Sequence, residues 1–134
     1  ACGACIAGKG IKEDLEIIAV QSSSAPAAYR SWKNKNLSEA PMGTIAEGLA
    51  TSKGYDLPQR ILKDLLDDFV LVSDAEMSSA ILMYLEMSHT LVEHAGAASL
   101  AAAIKINERL HGKKVVLVLS GGNISTEQLK QILG

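Results

Sequence analysis

Val115-Val116-Leu117-Val118-Leu119-Ser120-Gly121-Gly122-Asn123 is the stretch on which the fold reading turns. Five consecutive apolar, mostly β-branched residues predict a strand buried on both faces, as in a parallel sheet flanked by helices. A hydroxyl follows at Ser120, and two glycines let the backbone come close to a ligand. Ligands in open α/β sheets bind beyond the carboxyl ends of strands. This turn is therefore a candidate site, with a plain turn as the competing reading.

Two further apolar runs match it. Leu15 to Val20, followed by Ser22, Ser23 and Ser24, predicts a strand, and so does Phe69 to Val72. Helical patterns lie between and after them. Ala27 to Lys33 is a short helix entered through Pro26, and Asn34 to Thr51 is mostly loop. A helix opens at Asp56-Leu57-Pro58, buries Ile61, Leu62, Leu65 and Leu66 on one stripe, and ends at Asp67 and Asp68. Ser73-Asp74-Ala75-Glu76 reads as a capping box. The helix it opens places Met77, Ala80, Ile81, Tyr84, Ser88 and Leu91 on one face. Leu82, Met83, Leu85 and Met87 make the rest apolar, so that helix is expected to be largely buried. Gly96 punctuates, and an alanine-rich helix follows to Leu110. Ser125 and Gln128 form a second capping box before a helix over Thr126 to Leu133. Strands alternating with helices predict an α/β fold: three layers, a mainly parallel sheet, and helices on both faces.

The 134 residues are expected to form one domain. Thirteen basic against fifteen acidic residues give a net charge of −2 with no dense basic run, which argues against nucleic-acid partners. The longest apolar runs, such as Ala95 to Ile104, are about half of the ~20 residues that span a bilayer, so no membrane partner is expected. Two cysteines make no secreted disulfide framework, and a cytoplasmic setting is expected. Cys2-Gly3-Ala4-Cys5 has redox or metal spacing, but no strand precedes it. His89, His94 and His111 offer no helical pair as further ligands. The small residues leading into a helix from Ile6 could instead cradle a phosphate. Glu93-His94 puts a carboxylate and an imidazole just before the Gly96 break, where both could be solvated end-of-helix residues or members of a site.

Ala25-Pro26-Ala27, Thr44-Ile45-Ala46-Glu47-Gly48, Asp67 to Ser73, Leu91-Val92-Glu93-x-Ala95-Gly96-Ala97 and Val116 to Asn123 occur in this order and spacing. Together they resemble the threonine/serine dehydratases among the fold type II pyridoxal-phosphate enzymes, over Gln21 to Gly134. Serine racemases share the pattern. The resemblance implies pyridoxal phosphate as cofactor and an amino acid as substrate. The parent reaction would be loss of water from L-threonine or L-serine to give a 2-oxo acid and ammonia. It implies that Ser120 bonds the pyridine nitrogen, Gly48 brings its backbone against the ring, Glu93 lies near the imine side, and Gly121 and Asn123 shape wall and turn. Gly3 and Ala4 fall on the phosphate loop.

The departures from the pattern are as specific. The phosphate loop keeps one glycine of four across Ala1-Cys2-Gly3-Ala4, and the next helix looks shortened between Gly8 and Leu15. No lysine has the family's covalent-lysine context, so no residue is assigned a catalytic role. Gln21 and Ala27 stand where related enzymes sometimes hold a metal, so no metal site is expected. The chain has no initiator Met. It is read as the C-terminal part of a catalytic domain, excised or encoded as a truncated gene, without the small substrate domain, inactive alone and self-associating as a homodimer. A non-catalytic interaction module descended from the same half-fold is the alternative, and a racemase or other fold type II enzyme a third.

Overall fold

The computed structural model describes residues 1–134. Its elements run α1 (Cys2–Ile11), β1 (Ile18–Ser22), α2 (Ala27–Asn34), a 3-10 turn (Glu47–Leu49), α3 (Asp56–Leu65), β2 (Asp68–Val72), α4 (Asp74–Ser88), α5 (His94–Lys105), α6 (Asn107–Leu110) and α7 (Thr126–Leu133). β1 and β2 pair in parallel, Ile18 opposite Asp68 through Ser22 opposite Val72.

The period of two along the strands sorts side chains into two cores. Ala19 and Phe69 join Cys5 of α1 and Leu62 and Leu66 of the α3 end, with Tyr29 and Trp32 of α2 packed alongside. Val72, with Val20 and Val70, packs on the other side against Met77, Ala80 and Ile81 of α4 and Ala97, Ala98, Ala101 and Ala102 of α5. This gives helix, sheet and helix layers, the architecture expected. On the first face Tyr29 meets Phe69 edge-on at 5.7 Å and Trp32 tilts over it at 5.9 Å.

Local chemistry sets the joints. Ser73 Oγ accepts from Glu76 N–H at 3.2 Å, and Ser73 N–H donates to Glu76 Oε2 at 2.6 Å. Ser125 and Gln128 make the same reciprocal pair at 3.1 Å each way. Asp67 ties three elements: it ends the turn after α3, accepts Ile17 N–H at 2.7 Å, and accepts Lys9 Nζ at 2.9 Å from α1. Arg109 bridges Asp68 and Glu16, and Lys113 adds a contact to Glu16, which ties the segment after α5 to the strand starts.

Several expectations are corrected. Val115 to Leu119 forms no strand, and Val116 is 89% exposed. A strand needs a neighbour for its ladder, and the segment pairs with neither β1 nor β2; the sheet has two strands, not three. The first strand begins at Ile18 rather than Leu15. The first helix starts at Cys2 rather than Ile6, so Gly3 and Ala4 lie inside its first turn and not in a loop before it. α4 is buried on one stripe only: Met87 is 78% exposed, Met83 is also open, and Leu91 falls beyond the helix end. Gly96 does not break a helix but is buried within α5, which starts two residues earlier at His94 and ends at Lys105. Its small size serves packing rather than punctuation. No helix is long and apolar enough to cross a membrane.

Candidate active-site wall

The turn after the extended segment lies directly on the start of α5. Glu93 N–H donates to Gly121 O at 3.0 Å. The approach is close enough to demand glycine on both sides. A Cβ at Gly96 would come within 2.6 Å of Gly121 O and 2.7 Å of Val92 Cγ2. A Cβ at Gly121 would meet Glu93 Oε1 at 2.3 Å, so the carboxylate lies over that residue. Gly122 is similarly placed over Leu91 O, at 3.0 Å.

A second loop closes on the same corner. Gly48, in the 3-10 turn, sits where a Cβ would meet Ala95 Cβ at 3.0 Å. Asp74, the first residue of α4, holds that loop in place. Its Oδ1 accepts from Thr44 Oγ1 at 2.5 Å and its Oδ2 from Ile45 N–H at 3.1 Å. Thr44 Oγ1 in turn accepts Ala46 N–H at 3.1 Å. Asp74 gains from standing at a helix N-terminus, where backbone N–H groups favour negative charge.

Between these parts lies a cavity of about 370 Å³, lined by Ile45 to Gly48, Glu93 to Ala95, Asn123 to Ser125 and Gln128. Three residues singled out from sequence, Gly48, Glu93 and Asn123, line it together. Gly121 packs behind Glu93, and Ser120 is exposed at the end of the extended segment. Gly3 and Ala4 are not among its lining residues; they sit exposed in the first turn of α1, which packs on the other face of the sheet.

His94 is no solvated helix end: it is 3% exposed and lines the cavity. Ser78 Oγ donates to Asp74 O at 3.0 Å and lies 3.2 Å from His94 Nε2. The hydroxyl proton is thus spent, and Nε2–H of the imidazole donates to Ser78, leaving Nδ1 as the unprotonated nitrogen. Burial pushes the His94 pKa below the ordinary value, partly opposed by Asp74. The ring is therefore neutral near pH 7. Asp74, Thr44 and the burial of His94 escaped sequence reading. The available signals were an acid directly after a helix-capping serine and a histidine set between a carboxylate and a buried glycine.

Gln21, at a position where related enzymes sometimes hold a metal, spends its amide on the fold. Its Nε2 donates to Thr51 Oγ1 at 3.0 Å and its Oε1 accepts Tyr29 N–H at 3.0 Å.

Residues 1–121 match the family model described as pyridoxal-phosphate dependent enzyme. The chain is 33% identical to the L-threonine ammonia-lyase of Thermotoga maritima, over 98% of this chain and 33% of that protein. It is 35% identical to the serine racemase of Arabidopsis thaliana, over 95% of this chain and 40% of that protein. Among solved structures, maize serine racemase superposes with a TM-score of 0.86 at 29% identity, over 98% of this chain and 43% of that one. The threonine deaminase of T.th. gives 0.86 at 28%, over 92% and 42%. The chain thus spans about a third to two-fifths of the length of these relatives. With the sheet, the glycine-backed carboxylate and the Ser120 turn disposed as described, the chain belongs to the pyridoxal-phosphate-dependent enzyme family, in its fold type II, threonine/serine dehydratase-like branch.

Proposed function

We propose that this chain forms one wall of the cofactor cleft of an enzyme that eliminates water from L-threonine or L-serine, releasing a 2-oxo acid and ammonia. The observation that carries the reading is the corner where Glu93 lies over Gly121 while Gly48 abuts Ala95. At Gly48 the cavity lining carries no side chain, which fits a flat heteroaromatic ring, and Glu93, held over Gly121, faces the same space. When bound, pyridoxal phosphate supplies the aldehyde and the electron-withdrawing ring; the protein orients and tunes it.

The chain's own residues then have definable tasks. Ser120 offers a neutral hydroxyl to the ring nitrogen and does not force that nitrogen to stay protonated, which favours elimination over transamination. Glu93 and Asn123 line the cavity, Glu93 held over Gly121. Asp74 acts as a positioning residue for Gly48, through Thr44 and Ile45. By the resemblance the phosphate falls to the free backbone N–H groups of Gly3 and Ala4 in the first turn of α1, which lie outside this cavity's lining. No lysine lines the cavity, so the covalent attachment is assigned to no residue of this chain.

The test uses the gene product that contains this chain. Formation of 2-oxobutyrate from L-threonine, lost in Ser120→Asp and Gly48→Val, supports the reading. D-serine formed from L-serine without a 2-oxo acid would replace it by the racemase reading, which the resemblance to serine racemases favours. Absence of both products would point to a non-catalytic module, the reading favoured by Ala1, Cys2 and Ala4 standing where the resemblance expects glycines. For the 134 residues alone, borohydride reduction with pyridoxal phosphate and peptide mapping should label no single lysine stoichiometrically. Such a label, together with 2-oxobutyrate, would overturn the assignment of no covalent lysine.

A further inference from the structure

Cys2 and Cys5 stand three residues apart, and α1 puts both on one face. Cys5 is fully buried in the cluster that holds Leu62 and Leu66 at the α3 end and Phe69 of β2. Cys2 packs on the edge of the same cluster and is partly open to solvent. Its thiol donates weakly to Pro58 O of α3 at 3.7 Å. Both are free thiols turned toward the same neighbouring helix, one reachable and one enclosed. Neither lines the cavity of the wall just described.

Helix geometry brings the pair within reach of a bond. Residues three apart in an α-helix have Cα atoms about 5 Å apart, inside the range of about 4.4–6.8 Å that a disulfide spans. Their Cβ atoms stand about 5–6 Å apart, roughly 1–2 Å wider than a bridge needs. A first turn can close that gap, because 3-10 geometry, frequent at helix starts, eclipses side chains three apart. The first α-turn here is closed by Cys5 N–H donating to Ala1 O at 3.0 Å. The residues between the cysteines, Gly3 and Ala4, are small and exposed, and the space beside Gly3 is open. Burial pushes the Cys5 thiol above its ordinary pKa, and the nearness of Cys2 adds to the rise. An enclosed, protonated thiol is inert toward molecules arriving from solvent, but not toward a sulfur delivered beside it.

We propose that Cys2 and Cys5 form a reversible thiol–disulfide site whose substrate is a small disulfide, with Cys2 as the entering thiol and Cys5 as the resolving one. The Cys2 thiolate attacks one sulfur of the small disulfide. That S–S bond breaks, one thiolate leaves, and a mixed disulfide forms on Cys2. Cys5 then attacks Cys2 Sγ; the mixed S–S bond breaks and the second thiol departs. Two electrons pass from the cysteine pair to the small disulfide. The proton lost by Cys2 is regained by the first departing thiolate, and that of Cys5 by the second. The chemistry needs no strand before the pair, only one reachable sulfur and one held behind it. Bridging locks the turn that carries Gly3 and Ala4 and releases Pro58 O from its thiol donor.

The test incubates the full 134-residue chain with oxidised glutathione, alkylates the remaining thiols and digests with trypsin. Cleavage after Lys9 releases Ala1 to Lys9, which carries both cysteines. Mass spectrometry of that peptide should show the loss of two hydrogens and no retained glutathione. Cys5→Ala should stop at one glutathione held on Cys2. Cys2→Ala should take up glutathione at least about tenfold more slowly than Cys5→Ala, because its remaining thiol is enclosed. In concentrated urea the two variants should react alike. Trp32, packed on the same cluster, reports by its fluorescence that each variant is folded. In the unsubstituted chain, a glutathione that persists on Cys2, a peptide left fully alkylated, or a bridge between two chains would overturn the proposal. Equal native rates for the two variants would overturn the assignment of Cys2 as the entering thiol. A difference that survives in urea would overturn burial as its cause.

Discussion

Gly96→Ala is the sharpest test of how the site is built. In a helix interior, alanine for glycine is worth about 1 kcal/mol in favour of the helix. Here the added methyl would stand 2.6 Å from Gly121 O, 3.1 Å from Gly121 N and 2.7 Å from Val92 Cγ2. Two of these atoms are backbone and cannot turn aside as a side-chain tip would. Overpacking of this kind costs about 1–3 kcal/mol. Pushing the turn away also breaks the Glu93 N–H to Gly121 O bond, worth about 1 kcal/mol. The net expectation is destabilisation by about 2 kcal/mol. Gly10→Ala is the control: it is also helical, in α1, but its Cβ would meet nothing within 4 Å. That substitution should stabilise by about 0.5–1 kcal/mol. Urea unfolding followed by Trp32 fluorescence reads both, and the Gly96→Ala midpoint should fall by about 1 M. If Gly96→Ala stabilises as Gly10→Ala does, the close approach of the turn to α5 is wrong, and the wall built on it falls.

Acid should weaken the fold in two steps. Burial lowers the His94 pKa, so its contribution is present above the ordinary imidazole value of 6.5 and is lost as pH falls below it. Glu16, held low by hydrogen bonds from Lys113 and Arg109, and Asp67, held low by Lys9 and Ile17 N–H, contribute above the usual carboxylate values and lose it as pH falls through their lowered ones. Urea midpoints at about pH 7.5, 5.5 and 4 should therefore fall in sequence, and His94→Gln should flatten the first drop. An unchanged midpoint between the first two would refute the burial argument. The exposed apolar segment at Val116 and Val118, with Met87 also open, predicts self-association, most simply a dimer. A 14.2 kDa monomer by light scattering at micromolar concentration would disprove it.

What could be read in advance was what is local. The capping boxes at Ser73 and Ser125 are four-residue patterns, and both formed as expected. The strands at Ala19 and Phe69 announce themselves through apolar runs and found each other. Val115 to Leu119 looks the same in sequence, yet a strand is a property of a pair, and this segment lacks its partner. The site divides in the same way. Gly48, Glu93 and Gly121 came from the family resemblance and do converge. The cavity role of His94 depends on Ser78, sixteen residues earlier on another helix. The clamp of Asp74 on Thr44 spans thirty residues and leaves no periodic trace.

The β1–β2 ladder also orders events in time. Forty-five residues, Ser23 to Asp67, separate its two strands, whereas five, His89 to Glu93, separate α4 from α5. Closing the longer connection costs about 2 kcal/mol more chain entropy than closing the shorter. The α4–α5 hairpin can therefore collapse early, and the parallel ladder must wait until that surface exists to receive it. In pulse-labelled refolding, amides of Ala98 to Ala102 should gain protection before those of Ala19 to Gln21. Until the ladder closes, the cavity wall on α5 stands half-built, with Glu93 in place and the Asp74 anchor of the opposing loop still to be fixed.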